Sequence, residues 1–262
     1  MCVCYSLARV RFLRSLGVWI VISVATIAYG LPAIPLALVP PRGEWFLKLA
    51  RGWARLILAV SGVRVRILHR ERFAGDTSFV VAANHESFYD ILVLLAVLPM
   101  SVRFLAKRNL FRLPFLGWSI AAAGFIPVDR QTRSRNAGVV DAAMARLQKG
   151  RSLVVFPEET RTPTGELLPF KTGAALIALR SGLPLLPLGL AGTLRIQRRG
   201  GFTITPSRVA LAVGEPIPTA HDARHDRAEL TEELRRRIGA LREEARAGIE
   251  SPPEVRCAPR RS

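Results

Sequence analysis

Cysteine, acidic side chains and aromatic rings are all scarce in this 262-residue chain, and each shortage removes a class of function. The three cysteines, Cys2, Cys4 and Cys257, lie near the termini, odd in number and without metal-ligand spacing. That excludes a disulfide framework and a cysteine metal site, and makes a reducing compartment the simpler setting. Asp and Glu number 20 against 38 Lys and Arg, leaving a formal charge of +18 that needs an anionic partner, either nucleic acid or a membrane surface. Aromatics make up only 7% of the chain, with no base-stacking or helix-turn-helix signature, which counts against nucleic acid. No internal repeat of solenoid length is found.

Two catalytic signatures also fail for want of one residue each. "HESFY" (85–89) opens like the zinc motif H-E-x-x-H, but Tyr89 stands where the second histidine ligand belongs. "GWSIA" (117–121) lacks the second glycine and the leading apolar strand of a hydrolase nucleophile elbow. A serine hydrolase built on Ser119 is therefore the weaker alternative.

What the chain has in quantity is apolar sequence, 50% of its residues. Residues 15–41 carry no charge, long enough as a helix to cross a bilayer core of roughly 30 Å. Gly30, Pro32 and Pro35 allow a second reading, a helix over 16–29 followed by a bent return. Arg9, Arg11 and Arg14 precede the run and point to the cytoplasmic face of the cell membrane. Residues 44–63 follow as an amphipathic segment whose Lys48, Arg51 and Arg55 form one basic stripe, the pattern of a helix lying in a membrane interface or of a surface helix packed on the domain.

From residue 64 the texture becomes that of an α/β layer structure. Strands are predicted at 63–68, 78–84, 103–107, 125–128, 152–157, 184–191 and 208–214, and helices at 88–98, 114–123, 134–149, 173–180 and 227–247. The alternation predicts a mixed, largely parallel sheet flanked by helices. Residues 251–262 read as a disordered basic tail, giving three segments: 1–63 for membrane attachment, 64–250 as the α/β domain, and the tail.

Within "AANHESFYD" (82–90), His85 and Asp90 lie five positions apart, about 140° around a continuous helix, so they cannot meet if both are helical. They meet if His85 stays in the loop after the strand, Ser87 caps the helix, and Asp90 sits in the first turn. A carboxylate on one ring nitrogen leaves the other free to take a proton from a hydroxyl. No serine or cysteine nucleophile accompanies the pair, so that hydroxyl belongs to a substrate. The alternative is a capping aspartate beside an ordinary loop histidine.

The pair is followed by "GFIPVDR" (124–130), "FPEETRT" (156–162) and "PFKTGAA" (169–175), each at a strand end or helix start. In this order, the four blocks resemble the membrane-bound glycerolipid acyltransferases that include the 1-acyl-glycerol-3-phosphate acyltransferases, over about residues 45–218. The resemblance implies His85 as general base and Asp90 as its orienting partner. It further implies that Arg130, Glu158 and Arg161 hold the acceptor phosphate, with Lys107 as a further candidate. Lys171, just ahead of a helix start, would add to the same anion site, whereas Arg133, Arg135, Arg198 and Arg199 read as solvated charges. Acyl-CoA or acyl-carrier protein is the implied donor, a lysophospholipid the acceptor and membrane lipids the surroundings, with no metal and no cofactor. Where the family has glycine, this chain has Glu159, which puts a side chain at a position suited to a left-handed backbone and leaves a lyso-ornithine or lyso-cardiolipin acceptor open. From another class, a non-catalytic basic membrane-binding protein is the rival.

Overall fold

The computed structural model describes residues 2–38, 44–73, 78–129, 138–147, 151–198, 200–219 and 226–250. All seven expected strands form: β1 (Arg64–Leu68), β2 (Val80–Ala83), β3 (Val102–Lys107), β4 (Ile126–Val128), β5 (Ser152–Val155), β6 (Leu185–Ala191) and β7 (Arg208–Val213). They build one sheet in the order β1-β7-β6-β2-β5-β3-β4. Every neighbouring pair is parallel except β6 with β7, so the sheet is mixed and largely parallel as expected.

The helices are α1 (Cys2–Leu38), α2 (Glu44–Val60), α3 (Tyr89–Val97), α4 (Leu116–Ala122), α5 (Val139–Leu147), α6 (Gly173–Ser181), α7 (Thr193–Ile196) and α8 (Arg227–Glu250). Strand alternation sorts them into two layers. Val81, Ala83, Val154, Leu186 and Leu188 pack with α2 and α3 on one face, whereas Val80, Ala82, Leu153 and Leu185 pack with α5, α6 and α8 on the other. Central strands β2 and β5 are buried at every position, which is why they read as unbroken apolar runs.

The amino-terminal region departs from one sequence reading of it, the bent return, and keeps a helix long and apolar enough over 9–33 to cross a membrane. Instead of a helix over 16–29 with a bent return, α1 runs unbroken through Pro32 and Pro35, each of which leaves the carbonyl four residues earlier without its helical donor. At 37 residues it is about 55 Å long. It is also docked on the domain between Arg14 and Gly30. Arg14 donates to the Ser61 carbonyl, Ser15 accepts from the Ile204 amide, Trp19 donates to the Phe202 carbonyl, and Ser119 donates to the Gly30 carbonyl. Val18, Ala25 and Ala33 are buried, while Val10, Leu13, Ile20, Val24, Ile27 and Leu31 form a continuous exposed apolar stripe on the outer side.

Two residues of the basic stripe of α2, Arg51 and Arg55, reach the protein. Arg51 donates to the carbonyls of Leu98, Pro99 and Met100, where α3 ends, and Arg55 to that of Ala96. Lys48 lies over the Trp45 ring. Arg51 and Arg55 thus dock α2 on the segment that ends α3, while Trp45, Lys48 and Leu56 stay exposed. The segment 251–262 lies outside the described residues, as does part of the expected helix 134–149.

Candidate active site

Two adjacent parallel strands, β2 and β5, send their chains to opposite faces of the sheet: β2 leads into α3 on one side, β5 into α6 on the other. At such a switch point the connections part and leave a crevice at the carboxyl ends of the strands. His85 follows β2 and Phe156 to Glu158 follow β5, so both segments lie at the carboxyl ends of these strands.

The loop between β2 and α3 is held at three points. Asn84 accepts from the Leu190 amide at 2.7 Å and donates to the Leu190 carbonyl at 2.9 Å, which ties the end of β2 to β6. The His85 amide donates to Glu158 Oε1 at 2.7 Å, while its carbonyl accepts from the Thr162 amide at 3.0 Å. The Ser87 hydroxyl donates to the Gln197 carbonyl. Ser87 Oγ also accepts from the Tyr89 amide at 3.4 Å, a side-chain cap as the sequence leads one to expect. Asp90 supplies the reciprocal half of a capping box, its Oδ2 accepting from the Ser87 amide at 2.8 Å and the Glu86 amide at 2.7 Å.

The same oxygen meets His85 Nδ1 at 2.8 Å. Histidine in the loop and aspartate in the first turn thus do meet. Both are buried, at 4% and 0% exposure, and the imidazole stacks on Phe156 with ring centres 4.1 Å apart. Among the described residues nothing bonds the other ring nitrogen, Nε2, while Asp90 Oδ1 is buried and unpartnered. The tautomer with hydrogen on Nδ1 follows from the carboxylate beside it, and it leaves a lone pair on Nε2.

Glu158 serves this loop directly. Its two oxygens accept from the backbone amides of His85 and Leu168, which differs from a direct hand in an anionic site. Burial pushes its carboxyl up to about 7, against the pull of those two amides. Burial likewise raises Glu86, partly offset by Arg242, whose Nε lies 2.7 Å from Glu86 Oε1. Glu159 has φ +56, so the strain read from the glycine of related sequences is present here.

Of the cationic candidates, Lys107 ends β3 and is exposed, Arg161 is half-buried in the loop after β5, and Lys171 is exposed ahead of α6. Lys171 lines a cleft of about 750 Å³ with Asp129, Glu159, Phe156 and Phe170, at the carboxyl ends of β3, β4 and β5. Arg130 lies outside the described residues, as do Arg133, Arg135 and Arg199. Sequence reasoning missed three members of the network: Asn84, Phe156 and the Glu86–Arg242 pair. Asn84 and Phe156 stood inside motifs already singled out, whereas Glu86 and Arg242 are 156 positions apart and nothing in the sequence joins them.

Comparison with known proteins gives consistent results. Residues 64–191 match the family model described as Acyltransferase. The chain is 38% identical over 145 residues to the chloroplastic 1-acyl-sn-glycerol-3-phosphate acyltransferase BAT2 of Brassica napus, covering 55% of this chain and 42% of that protein. It is 30% identical over 188 residues to 1-acyl-sn-glycerol-3-phosphate acyltransferase alpha of Ovis aries, covering 71% and 66%. The chain thus spans well under half the length of the plant relative. Among solved structures, the 1-acyl-sn-glycerophosphate (LPA) acyltransferase PlsC from Thermotoga maritima superposes with a TM-score of 0.78 at 26% identity, over 90% of this chain and 95% of that one.

Proposed function

We propose, from the match of residues 64–191 to the acyltransferase family model, that the chain moves a fatty acyl group from an acyl thioester, acyl-CoA or acyl-carrier protein, to the free hydroxyl of a lysophospholipid. The acceptor is 1-acyl-glycerol-3-phosphate and the product phosphatidic acid, in keeping with the names of the related proteins. The observation that carries the reading is the His85 Nδ1 to Asp90 Oδ2 bond at the mouth of the switch-point crevice, with Nε2 unbonded among the described residues.

His85 Nε2 takes the proton of the acceptor hydroxyl as its oxygen attacks the thioester carbonyl. Asp90 holds the ring and stabilises the imidazolium that forms. The tetrahedral intermediate collapses, the carbon–sulfur bond breaks, and the imidazolium returns its proton to the thiolate. Such base catalysis contributes roughly 10²- to 10⁴-fold, and positioning of the two substrates much of the rest. Arg130, Arg161, Lys107 and Lys171 serve the acceptor phosphate, whose oxygens suit the planar guanidinium fork. Glu158 acts instead as a bracket beneath His85.

Membrane attachment falls to α1, whose exposed stripe of Val10, Leu13, Ile20, Val24, Ile27 and Leu31 faces away from the domain. Because its other side is docked between Arg14 and Gly30, α1 lies along the membrane rather than standing alone across it, with the domain on the cytoplasmic face.

The test is incubation of the purified chain with labelled acyl-CoA, and separately acyl-carrier protein, and a panel of lysophosphatidate, lyso-ornithine lipid and lyso-cardiolipin. Labelled phosphatidic acid is expected, falling by about 10²- to 10⁴-fold in His85→Ala while folding and vesicle binding persist. Acylation of none of the acceptors, or full turnover by His85→Ala, overturns the reading.

A further inference from the structure

Arg242 stands in α8, beyond the region that matches the family model, yet its side chain reaches the loop that carries His85. The contact is a buried ion pair. Arg242 Nε lies 2.7 Å from Glu86 Oε1, with the two side chains only 4% and 5% exposed. Glu86 is the residue next to His85, and its own amide donates to the same Asp90 oxygen that holds the imidazole. The Asn84 amide nitrogen adds a longer contact to Glu86 Oε1, and Asn84 in turn is fastened to Leu190 of β6.

Backbone packing fixes where Arg242 can be. A Cβ at Gly189 of β6 would stand 2.3 Å from the Leu241 carbonyl carbon and 2.4 Å from the Arg242 amide nitrogen. The α8 backbone therefore touches the strand itself at this point, and Arg242 leaves the helix directly beside the strand that Asn84 grips. Arg242 Nη2 is buried without a hydrogen-bond partner, so the pair is retained although its guanidinium is not fully satisfied. Burying an ion pair is a poor way to gain stability, whereas removing one partner leaves an uncompensated charge.

We infer that Arg242 is a positioning residue for the acyl transfer proposed above: through Glu86 it fixes the 84–90 loop, and so makes the carboxyl-terminal helix part of the machinery that aims His85. The inference rests on that reading for its kinetic consequence. Its structural consequence, the immobility of the His85 ring, stands apart from it.

The experiment compares Arg242→Met, Glu86→Gln, the double variant, and Arg236→Met, an exposed side chain on the same helix, in the full chain with acyl-CoA and lysophosphatidate. Arg242→Met is expected to lower kcat by about tenfold or more with KM for the acceptor little changed. Glu86→Gln lowers it less, and the double variant recovers most of the loss because no charge is then left unpaired. Arg236→Met behaves as wild type. In parallel, diethyl pyrocarbonate labelling of His85, read by mass spectrometry, is expected to quicken in Arg242→Met and slow again in the double variant. That arm needs no turnover, so a chain inactive on every acceptor defeats the acyltransferase reading and still tests this one. Unchanged kcat and labelling in Arg242→Met, or a double variant no better than Arg242→Met, overturns the inference. Should Arg242→Met fail to fold, Glu86→Gln decides: a kcat and labelling rate equal to wild type refute it.

Discussion

Glu158 is the residue whose chemistry differs most from what its motif implies. Its oxygens hold the amides of His85 and Leu168, and burial raises its carboxyl to about 7. The fold therefore favours the protonated form, and more protons are bound folded than unfolded between the ordinary glutamate range and about pH 7. Stability from this group is complete below the unfolded pKa and is lost as pH rises through about 7, a fall of at most about 3 kcal/mol. Glu158→Gln is expected to flatten that decline between pH 5 and 8, which urea unfolding at a series of pH values measures. A variant as pH-dependent as wild type would show that another group titrates. Its neighbour Glu159 carries a different cost, a left-handed backbone at φ +56 in a non-glycine residue, about 1 kcal/mol.

At the scale of elements, α2 shows how one surface pattern admits two settings. Three basic residues spaced three and four apart are the mark of an interfacial helix and equally of a helix that caps another, and the sequence does not say what stands opposite. Here the opposite partner is the end of α3, whose carbonyls Arg51 gathers. Arg51→Met is expected to cost about 1–3 kcal/mol, since it strands carbonyls that are partly buried, and to leave vesicle binding unchanged. Thermal unfolding and vesicle sedimentation check both halves; loss of vesicle binding with stability intact would return α2 to the membrane interface.

For the whole molecule, the question is how one sheet protein with +18 charges would meet the lipid acceptor proposed for it. The outer stripe of α1 and the exposed Trp45 and Trp118 offer apolar surface, while the cleft lined by Lys171 lies at the carboxyl ends of β3, β4 and β5. Leu13→Ser, Ile20→Ser, Val24→Ser and Ile27→Ser combined are expected to weaken vesicle binding by about a hundredfold or more with the thermal midpoint little changed, because these side chains are exposed in the free protein. Undiminished sedimentation with vesicles would remove α1 from the attachment surface.

Seven strands, the parallel character of the sheet and the loop position of His85 were legible in the chain itself. Each depends on a local regularity: an apolar run bounded by breakers, or an acid placed to reach back over one helical turn. The Asn84 clamp, the Phe156 stack, the direction of the α2 stripe and the Glu86–Arg242 pair came only with tertiary structure. They join residues far apart in sequence, and periodicity within one segment carries no information about which segment will lie against it. Strand order and the close approach of α8 to Gly189 are what bring those partners within bonding distance.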